Sequence, residues 1–201
     1  MTDIVVNTNT DKTVAEVLRS ATEHLHRALH EHPLIDDLLT SPSLQNYQAV
    51  LEGFHRYYEI AEPIIVGSAR ELGFAEQYPV AQREKWLRAD LKSLGCHLEG
   101  FSSSRVNVPV VKLRSVADLV GCLYVVHGSA LGGRTILRMI SSLTIGRSCQ
   151  FFTGEGEKIA VRWKEFQHFA DCTCGSEQAK NNAIIAAKQT FRSIYACLNS
   201  P

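Results

Sequence analysis

The sequence predicts an all-α fold, a single-domain bundle of six to eight helices. Valine, isoleucine and threonine do not alternate with polar residues over any long stretch, whereas apolar residues recur at helical spacing throughout the chain. Proline and glycine interrupt this spacing where helices should end. A length of 201 residues suits one domain whose core needs no disulfide bonds. We expect the folded domain over 13–201, preceded by a disordered polar tail over 1–12.

Composition argues against several classes of protein. Lysine plus arginine total 21, as do aspartate plus glutamate, so no net field favours nucleic acid or a membrane surface as partner. No apolar run approaches the ~20 residues that cross a bilayer, and the polar N-terminal segment does not resemble a signal peptide. We therefore expect a cytoplasmic protein with reduced cysteines. Cys172 and Cys174 form a single C-x-C pair, which is a weak zinc signal.

The first predicted helix runs from about Thr13 to Glu31, before Pro33. Thr13 is a good N-cap, and Glu16 three residues later completes a capping box. One apolar stripe should face the core, and it contains Val14, Val17, Leu18, Ala21, Leu25, Ala28 and Leu29.

Two further helices precede the middle of the chain. One starts after Ser43 and extends through Ile60, with Pro63 kinking or dividing it. The other is an amphipathic segment over 79–94. The residues over 95–109 are rich in glycine and serine, which predicts the longest loop of the domain.

The second half of the chain contains three predicted helices. The segment 115–140 is unusually apolar around its middle, so we expect it to be the central helix. Residues 146–156 look like a turn region, and a helix follows over 157–169. After a break at 172–176, the final helix covers 177–198.

Half of the eight histidines, His24, His26, His30 and His32, lie within nine residues at the end of the first predicted helix and just beyond it. Two of them, His26 and His30, are spaced i, i+4 and share with Arg19 and Thr22 a stripe that flanks the apolar one. A ligand that contacts both a cation and an imidazole would fit this stripe. Exposed surface histidines are the alternative, and a zinc or di-iron site is a third interpretation. The absence of H-E-x-x-H and of paired E-x-x-H motifs counts against the third.

The central helix carries four glycines, Gly121, Gly128, Gly132 and Gly133. Each costs ~0.8–1 kcal/mol relative to alanine inside a helix, so an interaction must offset the loss. Close helix packing is one explanation. The other is a large planar ligand that lies flat against a backbone without side chains.

These motifs together resemble the heme oxygenase family. The segment 18–26, Leu-Arg-Ser-Ala-Thr-Glu-His-Leu-His, is similar to the family's opening helix, and His26 matches its iron-ligating proximal histidine. Residues 119–133 resemble the distal helix, in the form Leu-Tyr-Val-x-x-Gly-Ser-x-x-Gly-Gly of the bacterial branch associated with bacteriophytochromes. Phe151 to Gly156, followed by Arg162-Trp163, also resembles that branch.

The resemblance implies a heme oxygenase-type helical bundle that cleaves heme to biliverdin, carbon monoxide and ferrous iron. Heme would be both prosthetic group and substrate, with molecular oxygen and an electron donor such as ferredoxin or a reductase. A bacteriophytochrome would accept the bilin. His26 would ligate the iron. The implied heme-binding residues are Arg19, Tyr124, Lys188 and Phe191, and the implied catalytic residues are Gly128, Ser129, Gly132 and Gly133.

Two positions depart from the family pattern. Ser129 stands where many members place a distal aspartate, so the water network would be organised differently, by Ser129 or by His127. His30 stands where the family commonly has an acidic residue four positions after the proximal histidine.

Three functions are alternatives to an active heme oxygenase. They are a non-catalytic heme-binding or heme-sensing protein of this fold, a heme-free thiaminase-like or di-iron enzyme of the wider superfold, and a helical interaction module.

Overall fold

The computed structural model of the chain describes residues 12–75, 83–96 and 111–199. Within these ranges the fold is all-α, as predicted, with eight α-helices, one 3-10 turn and no β-strand. In chain order the helices are α1 (Val14–His30), α2 (Pro33–Thr40), α3 (Leu44–Glu71), α4 (Arg83–Ser93), α5 (Val116–Ile140), α6 (Gln150–Thr153), α7 (Ile159–Thr173) and α8 (Glu177–Leu198).

The helices with strong terminal signals have the predicted bounds. Thr13 caps α1 in a capping box with Glu16, and Ser115 caps α5 in the same way. The predicted final helix coincides with α8. Pro63 does not divide α3, which continues through it as one helix. Residues 1–11 of the predicted tail over 1–12, the position of Pro79, and residues 97–109 of the predicted loop over 95–109 lie outside the described residues.

Other expectations about helices need correction. Pro33, predicted only to stop a helix, is the first residue of α2, where the His32 imidazole caps the N-terminus by accepting a hydrogen bond from the Leu34 amide. The turn region over 146–156 contains the short helix α6 and the start of a 3-10 turn over 156–158. The helix predicted over 157–169 begins at Ile159 and extends to Thr173.

The buried face of α1 also differs from the predicted stripe. Ala28 is exposed, whereas Thr22 is 1% exposed. Its hydroxyl donates a hydrogen bond to the Leu18 carbonyl oxygen at 2.7 Å, which satisfies the polar group inside the core. Helix α1 packs chiefly on α8, and less on α7 and α5. The residues of α1 that face these three helices are therefore the buried ones, whether or not they are apolar.

The central helix is α5, which packs most extensively on α8 and also on α7 and α6. Gly121 lies at the crossing with α8, where an added Cβ would collide with the Ala183 carbonyl oxygen. Close packing therefore explains this glycine. By length and composition α5 is the one helix of the described residues that could cross a membrane, and 50% of its most apolar window is buried. A buried core helix has the same properties.

A buried carboxylate fixes the segment between α5 and α7. Asp90 of α4 is 0% exposed and accepts three hydrogen bonds, from the Ser148 hydroxyl at 2.6 Å, the Gln150 amide at 2.8 Å and the Phe151 amide at 2.9 Å. These contacts hold α6 against the core, where Phe152 packs beside Gly133.

Asp90→Asn is expected to lower the free energy of unfolding by about 2–4 kcal/mol, because an amide group cannot accept all three bonds and its NH₂ would face donors. Urea unfolding of the purified variant measures this loss. The control is Asp36→Asn at an exposed position of α2. A loss for Asp90→Asn no larger than that of the control would contradict the assigned role of Asp90.

Candidate functional site

The site begins with His26 on α1. Its ring meets the Phe191 ring of α8 edge-on, with centroids 6.1 Å apart and planes at 86°, while much of the side chain stays exposed. Partial burial lowers the pKa of His26, and the nearby His30 and Arg19 lower it further. The imidazole is therefore favoured in its neutral form, which is the form that binds a metal.

Tyr124 of α5 brings the central helix into the same site. Its hydroxyl lies within hydrogen-bonding reach of Thr22, and the Arg19 guanidinium is close enough to act on it. Burial raises the pKa of Tyr124, while Thr22 and Arg19 oppose this shift. The His26 ring thus contacts Phe191 of α8, while the charge of Arg19 acts on both His26 and Tyr124, so these four predicted residues lie around one place where three helices meet.

The open positions of α5 lie next to this contact. Gly128 is one turn beyond Tyr124 on the same helix face, just as His26 is one turn beyond Thr22. A Cβ added at Gly128 would meet only the Trp163 ring, at 3.9 Å, and one added at Gly132 would meet nothing within 4 Å. The backbone of α5 is therefore accessible to a flat ligand at both positions.

Gly133 differs from these two glycines. It is buried, and an added Cβ would lie 3.1 Å from the carbonyl oxygen of Phe152. Its missing side chain makes room for α6. Of the four glycines in α5, Gly121 and Gly133 are therefore explained by packing, whereas Gly128 and Gly132 leave open space.

The hydroxyl groups of Ser129 and Tyr58 lie close together, next to the open position at Gly128. Ser129 is half-buried and donates a hydrogen bond to the Val126 carbonyl oxygen at 2.8 Å. The Tyr58 hydroxyl is fully buried beside it without a completed hydrogen bond among the described residues, and the guanidinium of Arg83 lies 5.6 Å from the Tyr58 ring centre. Tyr58 was not among the predicted site residues, because a tyrosine on a long apolar helix gives no local signal of such a role.

Aromatic side chains of α7 complete the surroundings of α5. Trp163 lies 5.9 Å from the Tyr124 ring, and Phe166 lies 5.8 Å from the ring of His127. Burial lowers the pKa of His127 to about 3, and the positive charges of Arg83 and Arg162 act in the same direction. His127 is therefore neutral at physiological pH.

This shift predicts a pH dependence of stability. The unfolded chain protonates His127 near the ordinary pKa of 6.5, whereas the folded chain does so only near 3. The unfolded state binds the extra proton between these values, so the free energy of unfolding should fall below pH 6.5 by up to about 1.4 kcal/mol per pH unit. Urea unfolding of wild type and His127→Gln at pH 7 and pH 5 measures it. We expect a smaller fall in the variant, and an equal fall would contradict the assignment.

Lys188 is half-buried and lies one turn before Phe191 on α8.

The zinc and di-iron sites considered from the sequence have no counterpart in the described part of the chain. There, no group of three or more histidine, cysteine, aspartate or glutamate side chains could hold a metal ion. Cys172 is exposed while Cys174 is buried, so the C-x-C pair does not present both thiols together.

Comparison with known proteins identifies the family. The model of the heme oxygenase family matches residues 12–199, which is nearly the whole chain. The chain belongs to the heme oxygenase family. A heme oxygenase of Xanthomonas campestris pv. campestris (strain 8004) is 29% identical over 157 residues, which are 77% of this chain and 86% of that protein.

Solved heme oxygenases share the fold. The NO- and CO-bound heme oxygenase of Neisseria meningitidis has a TM-score of 0.71 at 18% identity, covering 92% of this chain and 90% of its own. The heme oxygenase of Leptospira interrogans has a TM-score of 0.74 at 18% identity, covering 93% and 98%. The predicted family and the predicted all-α fold are confirmed, and the named relatives are bacterial.

Proposed function

We propose that this family member is an active heme oxygenase that cleaves heme to biliverdin, carbon monoxide and ferrous iron. The proposal rests mainly on the positions of two groups relative to each other. A neutral imidazole on α1 and an open glycine backbone on α5 lie within one helical turn of the Thr22–Tyr124 contact. A planar macrocycle with a ligatable iron fits between such groups.

His26 is the proposed iron ligand. When bound, heme supplies the redox chemistry of its iron and is itself the substrate. The protein must keep His26 neutral and orient its ring, which Phe191 supports edge-on. The second ring nitrogen needs an acceptor such as Glu23, a neutral His30 or a backbone carbonyl. Glu23 already pairs with Arg27 at 3.5 Å, so its availability depends on an exposed ion pair.

Three polar side chains are proposed to hold the heme propionates. Arg19 and Tyr124 lie near each other at one side of the site, and Lys188 precedes Phe191 on α8. A guanidinium fits a carboxylate with two parallel hydrogen bonds, so Arg19 can fix the rotation of the ring. The rotation determines which edge of the macrocycle faces the hydroxyl groups beside α5.

On the other face, Gly128 and Gly132 are proposed to contact the ring, while Gly133 supports their position through α6. Ser129 and Tyr58 are proposed to supply the polar groups that an aspartate provides in many family members. Because the Ser129 hydroxyl donates its hydrogen bond to the Val126 carbonyl oxygen, its own oxygen is left to accept, and the Tyr58 hydroxyl is placed to donate. Together they can hold a water, which would donate a hydrogen bond to the Ser129 oxygen and accept one from the Tyr58 hydroxyl.

The partners follow from the reaction. Molecular oxygen and an external electron donor, a ferredoxin or a reductase, are required for turnover. A bacteriophytochrome is the proposed acceptor of the bilin, on the strength of the distal-helix form Leu-Tyr-Val-x-x-Gly-Ser in residues 123–129. A cytoplasmic location would give access to all of them.

Aerobic turnover tests the proposal. Purified protein is loaded with one equivalent of hemin, supplied with ascorbate, and followed by absorption while carbon monoxide is trapped with ferrous myoglobin. We expect the Soret band to bleach as a bilin band grows, with one carbon monoxide per hemin. Heme that binds but persists would instead support a heme-binding or heme-sensing protein. The absence of any Soret band would favour a heme-free enzyme or an interaction module.

A further inference from the structure

An indole ring lies beside the first open position of α5. Trp163 of α7 is half-buried, and a Cβ added at Gly128 would lie 3.9 Å from Cζ3 of its ring. The indole is also 5.9 Å from the Tyr124 ring, measured between ring centres, with the two planes at 51°. Because Tyr124 lies one turn before Gly128, the indole borders the open space over α5 along this turn.

Neighbouring aromatic rings hold the indole in place. Phe166, one turn further along α7, is 4% exposed, and its ring centre lies 5.3 Å from that of Trp163, with the planes at 32°. The Phe166 ring also contacts the rings of Tyr124 and His127, at 6.5 and 5.8 Å. An indole has two rotatable bonds, so a packed tryptophan offers a ligand a large, rigid contact at little cost in conformational entropy.

Packing of the core explains only part of this arrangement. The indole packs against the core, yet the side chain stays partly exposed next to a glycine whose missing side chain leaves space. A flat apolar ring beside such a space can contact a ligand that enters it. The ring is large enough to exclude a ligand that is placed differently.

The chemistry around Tyr124 divides the site into a polar and an apolar side. The charge of Arg19 acts on the Tyr124 hydroxyl, whereas Trp163 contacts the ring of the same residue. A carboxylate placed against the indole would lose its hydration without gaining a cation. The methyl and vinyl groups on the rim of heme are apolar and lose nothing there. The apolar rim is therefore expected against Trp163, and the propionates toward Arg19.

We propose that Trp163 is a specificity-determining residue, which contacts the apolar rim of heme and allows only one rotation of the macrocycle in its plane. This rotation determines which of the four bridging carbons is cleaved, so Trp163 determines which biliverdin isomer forms. The inference rests on the proposed function for the reaction. The contact itself requires only that heme binds between α1 and α5.

Proton NMR of the ferric hemin complex tests the contact without turnover. Each rotation of the heme gives its own set of heme methyl resonances, and their intensities measure the populations. We expect one dominant set in wild type. Trp163→Ala should increase the ratio of a second rotation to the first about tenfold or more, because the loss of even one apolar group can change the discrimination of a pocket about tenfold. Trp163→Phe keeps a flat ring and should give a smaller increase.

Trp86→Ala is the matched control for Trp163→Ala. Trp86 is the second of the two tryptophans, is half-buried on α4 and also packs against the core. Its removal should leave the populations of the heme rotations as in wild type. Wild-type populations in both Trp163 variants would overturn the assignment. The same change in Trp86→Ala, or two comparable rotations in wild type, would also overturn it.

Product analysis separates this inference from the proposed function. After ascorbate-driven turnover, the biliverdin isomers are separated by chromatography. We expect one dominant isomer from wild type and Trp86→Ala, and from Trp163→Ala a mixture whose proportions follow the NMR populations. An unchanged single isomer from a variant with two rotations would overturn the role of Trp163 in selectivity. If wild type cleaves no heme, the proposed function fails, while the NMR populations still decide the contact.

Discussion

His26→Ala is expected to lower hemin affinity by about a hundredfold, equivalent to about 2.7 kcal/mol, and to abolish the spectrum of histidine-ligated heme. The reason is that His26 supplies the neutral imidazole that partial burial, Arg19 and Phe191 hold at the contact between α1, α5 and α8. Hemin titration followed by absorption measures both effects. Loss of the His26 side chain should also stop turnover, because a heme that is held incorrectly does not face the side chains beside α5.

Two comparisons make this result specific. His24→Ala removes an exposed histidine from the same helix and should leave hemin binding unchanged. Added imidazole should restore the histidine-type spectrum to His26→Ala, because it can occupy the space that the side chain leaves. If His26→Ala binds hemin as wild type does, another residue is the ligand and the assigned orientation of the site is wrong.

Gly132→Leu is expected to reduce hemin affinity about tenfold or more while slightly stabilising the protein. The added side chain enters the open space beside α5, where nothing lies within 4 Å of an added Cβ, so the variant can fold without a clash. Leucine also favours a helix by somewhat less than about 1 kcal/mol relative to glycine. A gain in the free energy of unfolding together with a loss of hemin affinity would show that hemin binds in the open space beside Gly132.

Gly67→Leu is the matched control for that variant. Gly67 lies within α3 and also has nothing within 4 Å of an added Cβ, but it is not part of the site. It should gain similar helical stability without loss of hemin affinity. Urea unfolding and hemin titration of the two variants are compared. Unchanged hemin binding by Gly132→Leu would mean that the open face of α5 does not contact the heme.

Local signals made the long helices predictable from sequence. Thr13 with Glu16 and Ser115 with Asp118 place helix starts through side-chain bonds that act within four residues. The short helix α6 has no such local cap. The helix α6 depends on Asp90, far away in the sequence, to satisfy its N-terminal amides. No local pattern contains that contact.

The candidate site was predictable to the extent that one helix carries it. Arg19, Thr22 and His26 share a face of α1, so their spacing indicated a common surface. Tyr58 could not be predicted as a site residue, because its position beside Ser129 arises only when α3 packs near α5. The glycines illustrate the same limit, since sequence could not separate the packed Gly121 from the open Gly132.

A crystal structure of the hemin complex tests the central claim most directly. The iron position can be fixed by its anomalous scattering, which identifies the ligand without reference to activity. We expect the iron to be bonded to a ring nitrogen of His26, with the opposite face of the macrocycle against the backbone of Gly128 and Gly132. Iron bonded to His24, His30 or His127, or a ring bound away from α5, would contradict the account.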